Sequence, residues 1–185
     1  MSNKVLPRNK IDKKHKWNAE SVFPSDAVWE KEIGQILMDV EKVRQYQGRL
    51  AEGPAVLLEA QNAANELLSR AQTAYMYAGF SYNVDTMNQK ATGMIGKAQG
   101  MFGQVLSAVS YMEPEMLAIG VDRLNAWMAE NAGLAAYRHA VEDLFRRQAH
   151  VRSAEVEEIL GMVSDPLNGA SNSTSMLTNA DFKFK

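Results

Sequence analysis

Three histidines, His15, His139 and His150, are the only imidazoles in this sequence, and a search for chemistry starts with them. A zinc hydrolase site on a helix needs His-Glu-x-x-His, which sets two ligands on one face with a general base beside them. That motif is absent, as is the Glu-x-x-His pair of di-metal helical bundles. His139 falls on the polar side of its expected helix. His150 follows Arg146-Arg147-Gln148-Ala149 near an expected helix end, where a cation suits the dipole. Both read as surface residues. No Gly-x-Ser-x-Gly elbow presents a serine nucleophile. Gly169-Ala170-Ser171-Asn172-Ser173-Thr174 lacks the lysine and second glycine of a phosphate loop. Gly93-x-x-Gly96 lies inside a helical pattern rather than after a strand, so it is no dinucleotide fingerprint. With no cysteine, thiol chemistry and disulfides are excluded, and a reducing cytoplasm is the expected setting. These residues predict no catalytic, cofactor-binding or metal-ligating site in the chain.

Charge narrows the partners. The 185 residues carry a net charge of −2, too little for a global field that attracts nucleic acid. Lys4, Arg8, Lys10, Lys13, Lys14 and Lys16 stand against Asp12 alone in the first 16 residues. No aromatic or apolar face accompanies them, so a solvated leader is the leading reading, with a nucleic-acid or membrane-surface arm as the weaker one. No run of about 18 apolar residues offers a membrane span. Hydrophobic residues at 46% and charged residues at 23% are ordinary globular composition.

The elements that would position any site are helical. Ser25 or Asp26 can cap a first helix, in which Trp29, Ile33, Ile36, Leu37, Val40 and Val43 recur at helical spacing and which stops near Gly48. Pro54 suits the first turn of a second helix, and Leu57, Ala64, Leu68, Ala71, Tyr75, Ala78 and Tyr82 form its stripe. Asn83-Val84-Asp85-Thr86 supplies turn and cap chemistry. A third helix carries Met87, Ala91, Met94, Ala98, Met101, Val105, Val109 and Met112, with Pro114 at its end or at a kink. Shorter helices follow around Leu124, Trp127 and Met128, around Leu134, Tyr137, Val141, Leu144 and Phe145, and from Ser153 to Asp165-Pro166. Glu142 with Arg146, and Asp143 with Arg147, are spaced for exposed pairs. Asp181-Phe182-Lys183-Phe184-Lys185 alternates like a strand. The expected architecture is all-α, with long antiparallel helical hairpins, shorter helices and a truncated C-terminal strand. It divides into a basic arm with an aromatic strap (1–24), three long helices (25–117) and the shorter helices (118–185).

Two features point to a second contact surface. Gly93, Gly96, Gly100 and Gly103 make a smooth stripe opposite the methionines, and each mid-helix glycine costs roughly 0.5–1 kcal/mol relative to alanine. Close approach of another element would offset that. Tyr77 and Phe80 lie away from the apolar stripe of the second helix. These six residues are the expected cleft or interdomain surface. Trp17 and Phe23, on an irregular segment, are expected to pin the arm to the helices, and Trp17→Ala to cost about 2–4 kcal/mol.

Lys16-Trp17-Asn18-Ala19-Glu20-Ser21-Val22-Phe23-Pro24-Ser25-Asp26, followed by Trp29-Glu30, resembles the opening of oligoendopeptidase F, of the M3B zinc metallopeptidases. Gln47-Gly48-Arg49-Leu50-Ala51, Tyr77-Ala78, Asp85-Thr86-Met87-Asn88, Glu113-Pro114-Glu115, Tyr137-Arg138-His139 and the stretch from Ser175 to Phe184 resemble later segments of that family in order. The resemblance implies the family's helical N-terminal region, forming one wall of a peptide-binding cleft. It implies short peptides as substrates of the intact enzyme, zinc as its cofactor, and a C-terminal catalytic domain as the partner that carries the zinc motif. No family ligand or catalytic residue maps onto this sequence. A stand-alone helical module that binds peptides or proteins is the alternative.

Overall fold

Helix starts are written in short polar side chains that accept free backbone N–H groups. In the computed structural model, which describes residues 10–148, 173, 174, 177 and 178, the Ser25 hydroxyl accepts from Val28 N–H and opens α1 (Asp26–Arg44). Trp29, Ile33, Ile36, Val40 and Val43 make its buried face. The chain turns at Gly48, whose φ of +79° favours a residue without Cβ. There the Glu115 carboxylate accepts from Gly48 N–H at 2.6 Å and from Leu50 N–H at 3.3 Å. Pro54 then starts α2 (Pro54–Val84), where a missing N–H loses nothing. At 1.5 Å per residue α2 is about 46 Å long.

The turn into α3 (Gln89–Val109) is capped by Asn88, whose side chain accepts from Lys90 and Ala91 N–H. The expected cap within 83–86 is therefore two residues early; Asp85 instead closes the turn by accepting from Met87 N–H. Met87 stands before the helix and is 83% exposed, so it is no part of the stripe, which is Ala91, Met94, Ala98, Met101, Val105 and Ala108. Pro114 neither ends nor kinks α3. It lies in the first turn of α4 (Met112–Ile119), where its N–H would have no helical partner anyway.

The pairings set the directions. Trp29 Nε1 donates to the Ala74 carbonyl and Arg70 to Asp39, while the Tyr75 ring lies tilted against Phe102 and Gly79 faces Ile95, so α2 runs antiparallel to both α1 and α3. At the far end the Tyr111 hydroxyl donates to the Val43 carbonyl at 2.8 Å, just past α3 and near the end of α1. All three long helices contact one another. This is the all-α, antiparallel arrangement expected.

Beyond Gly120 (φ +88°), α5 (Val121–Glu130) buries Leu124, Trp127 and Met128. The single helix expected around Leu134–Phe145 is two: α6 (Ala132–Ala135), capped by Asn131, and α7 (Arg138–Arg147). Tyr137, between them, docks on α2: its hydroxyl accepts from Asn65 Nδ2 and donates to Asn62 Oδ1. Asp143 takes both Arg146 and Arg147, so Glu142 is not the partner of Arg146; three-residue spacing serves as well as four. The boundary expected at 117/118 falls inside α4, and one apolar cluster runs from Phe23 to Leu144 across it. His150, the helix expected from Ser153 and the strand expected at 181–185 lie outside the described residues.

Candidate functional site

The arm meets α2 where the sequence placed its unpartnered aromatics. Phe23 is buried, edge-on to Tyr77 with ring centroids 5.1 Å apart. Trp17 stands edge-on to Phe80 at 5.0 Å and lies 6.0 Å from Tyr77. Trp29 of α1 stacks on the same tyrosine at 6.5 Å. Tyr77 is thus inside the chain's own core, and this corrects its expected place on an outer surface: the element that covers it is the arm. Trp17 remains 38% exposed, so its truncation removes less buried area than the expected 2–4 kcal/mol supposes.

The Tyr77 hydroxyl donates to Asp26 Oδ1 at 3.0 Å, and Lys90 Nζ lies 2.5 Å from Asp26 Oδ2. One carboxylate in the first turn of α1 therefore ties the end of α2 to the start of α3. The Lys90 ammonium, foremost, and the Tyr77 hydroxyl hold the Asp26 carboxyl below its usual range against the opposing effect of burial. Burial, then Asp26, pushes the Tyr77 phenol up to about 12, far from a working acid or base at neutral pH. Midway along the bundle Asp39, almost wholly buried, accepts from Arg70 at 2.6 Å, from Gln35 at 3.1 Å, and pairs with Lys42 at 2.8 Å. Arg70 also reaches Glu32 at 2.7 Å, so this network staples α2 to α1.

On the outer side of α2 and α3 lies an open hollow of about 320 Å³, lined by Tyr75, Met76, Gly79, Phe80, Ile95 and Gln99 among others. Phe80 is 44% exposed and forms its edge. Gly93, Gly96, Gly100 and Gly103 all face outward, with open space where a Cβ would stand. The structure thus brings Phe80 to the hollow's edge, leaves the four glycines as a bare strip along α3, and takes Tyr77 away from both. Sequence reasoning missed the Asp26–Lys90 and Asp39–Arg70 bridges, because nothing in one helix marks which charge another will meet.

The surface beside the hollow is apolar and aromatic, with Met76 and Phe80 both exposed. His15 and His139 are exposed, and among the described residues no three His, Asp or Glu side chains come together in a group that could hold a metal. A zinc ion thus finds no fit among them.

Residues 115–184 match a family model described as Oligopeptidase F. Across 99% of its length the chain is 32% identical to Oligopeptidase PepF of Bacillus subtilis (strain 168), taking up 27% of that protein. Across 96% it is 28% identical to Group B oligopeptidase PepB of Streptococcus agalactiae, 30% of whose length is covered. The crystal structure of oligoendopeptidase-F from Enterococcus faecium superposes on 87% of the chain with a TM-score of 0.76 at 27% identity, using 32% of that structure. The chain spans less than a third of the length of the curated relatives it matches. Across nearly its whole length, it matches the N-terminal region of the oligoendopeptidase F proteins.

Proposed function

We propose that this chain is the non-catalytic, helical N-terminal part of an oligoendopeptidase F-like zinc metalloendopeptidase that hydrolyses short peptides in the cytoplasm. The observation that carries the reading is the match of nearly the whole chain to about 30% of each relative, with the same fold. In this reading the outer side of α2 and α3, with Phe80, the adjoining hollow and the strip of Gly93, Gly96, Gly100 and Gly103, borders the peptide cleft or meets the catalytic portion. Bare glycines and exposed apolar side chains suit close approach by a second element. Metal ligands would come from outside the described residues, and the contribution of this part is confinement and orientation of the peptide. The absence of cysteine supports the cytoplasmic assignment.

The test is a quenched-fluorescent peptide assay with added zinc, run on this chain and on the translated product of the reading frame extended past Lys185. The expected result is no turnover by the chain and chelator-sensitive cleavage by the longer product, whose sequence should contain His-Glu-x-x-His. Cleavage by the 185 residues alone overturns the reading. A frame that stops after Lys185 favours a stand-alone peptide- or protein-binding module.

A further inference from the structure

Residues 10–24 are attached to the helices through rings. Among the described residues, each hydrogen bond and ion pair of this segment closes within the segment itself. His15 N–H donates to Asp12 O, Lys16 N–H to Lys13 O, Val22 and Phe23 N–H to Ala19 O, and Lys14 pairs with Asp12. Its two anchors are unequal: Phe23 is buried, whereas Trp17 is partly open to solvent. Apart from half-buried Ile11, Lys16 and Ala19, the residues from 10 to 22 are exposed. A segment with so few buried apolar contacts, and no backbone hydrogen bond to its support, opens locally at a lower free energy than the core beneath it. Phe80 adds a connection. The ring that Trp17 meets edge-on also lines the hollow between α2 and α3.

We infer that residues 10–18 form a strap that swings about the short 3-10 turn Ala19–Ser21, anchored by Phe23 and latched by Trp17. It opens and closes against Phe80 while the three long helices stay folded. Phe80 is shared, so opening the latch uncovers part of the hollow's wall, and a ligand that displaces Phe80 shifts the latch.

Limited trypsin digestion of the whole chain under native conditions, read by mass spectrometry at Lys13, Lys14 and Lys16, tests this. When opening is fast relative to cleavage, the cutting rate follows the open population. Trp17→Ala should speed cleavage at these sites about fivefold to tenfold, the scale of losing one aromatic contact, with a thermal midpoint within about 2 °C of the parent. Phe80→Ala should act similarly, and the double variant should cut no faster than the faster single variant, because the two rings form one latch. Trp17→Phe keeps a ring and should restore most of the protection. Equal cutting of parent and Trp17→Ala overturns the inference. So does a midpoint that falls in step with cleavage, or full additivity of the two single changes.

Discussion

Tyr77 and Asp26, separated by 51 positions in sequence, are joined by a 3.0 Å hydrogen bond in which the phenol donates and the carboxylate accepts. The bond closes one end of the bundle, because Lys90 grips the other carboxylate oxygen. Tyr77→Phe keeps the ring among Phe23, Trp17 and Trp29 and removes only the donor. A loss of about 1 kcal/mol is expected from one hydrogen bond. Tyr77→Ala also removes the ring and should cost about 3–5 kcal/mol. Urea melts of the two variants check the split. Equal losses would mean the ring packing contributes nothing.

Alkaline stability follows from the same residue. Burial, then Asp26, pushes Tyr77 up to about 12, and burial, then Glu115, does the same for Tyr111. An unfolded tyrosine titrates near 10. The folded state therefore holds protons that the unfolded state has released, and this stabilisation is fully present below pH 10 and is lost as pH rises through about 12. Melting midpoints should fall between pH 10 and 12, and Tyr77→Phe with Tyr111→Phe should flatten that limb. An unchanged limb in the double variant rules out these two phenols as its source.

Acid stability rests on Asp39. Hydrogen bonds from Lys42, first, and from Arg70 hold its carboxyl down at about 2 although burial opposes them. An unfolded aspartate titrates near 3.9. Its stabilisation is present above pH 4 and lost as pH falls through about 2. Asp39→Asn should cost about 1–3 kcal/mol at pH 7, since Arg70 then keeps only Glu32 as an ionised partner, and should weaken the acid dependence in midpoint-against-pH scans. A variant with the parental acid limb would assign that limb to other carboxylates.

The two tryptophans of the arm and of α1 should behave oppositely. Trp29 is fully buried and its indole N–H donates to the Ala74 carbonyl at 2.9 Å. Trp29→Ala should remove about 3–5 kcal/mol from global stability. Trp17→Ala, at a half-open site, should leave the denaturant midpoint close to the parent. Similar midpoints for both variants would show that position in the core does not separate them.

Among the described residues, a Cβ added at Gly96 or Gly100 would meet no atom within 4 Å beyond its own stretch of helix. Gly96→Ala and Gly100→Ala should therefore stabilise the isolated chain by about 0.5–1 kcal/mol each. If the strip is covered in a longer protein, Gly96→Leu and Gly100→Leu should lower that protein's peptide cleavage while leaving the melting of the chain alone unharmed. Unchanged cleavage and stability in the longer protein would remove close approach as the reason for the glycines.

The all-α class was legible because it rests on local rules. Ser25, Pro54 and the spacing of Trp29, Ile33, Ile36, Val40 and Val43 act within one helix and need no partner. The stripe of α3 was likewise readable from Ala91, Met94, Ala98, Met101 and Val105. Short helices were less so, since a break such as Asn131 or Ala136–Tyr137 is decided by what docks there. Of the residues named for a second surface, Phe80 and the four glycines are exposed, whereas Tyr77 is buried.

That last difference shows where local information ends. Leu57, Ala64, Ala71 and Ala78 repeat every seventh residue in α2, and either of two neighbouring rows can complete a buried face with them. Leu68, Tyr75 and Tyr82 are one row; Ala60, Leu67 and Ala74 are the other, and this second row is the one buried, with Tyr77 buried one turn beyond it. Both satisfy helical periodicity. The side on which α1 and the arm pack chooses between them, and that is a property of three segments meeting in space. The sequence by itself determined that these segments are helices and that the arm carries rings in need of a surface. Only the tertiary structure decided which tyrosine receives those rings, which aspartates bridge the helices, and which face is left bare.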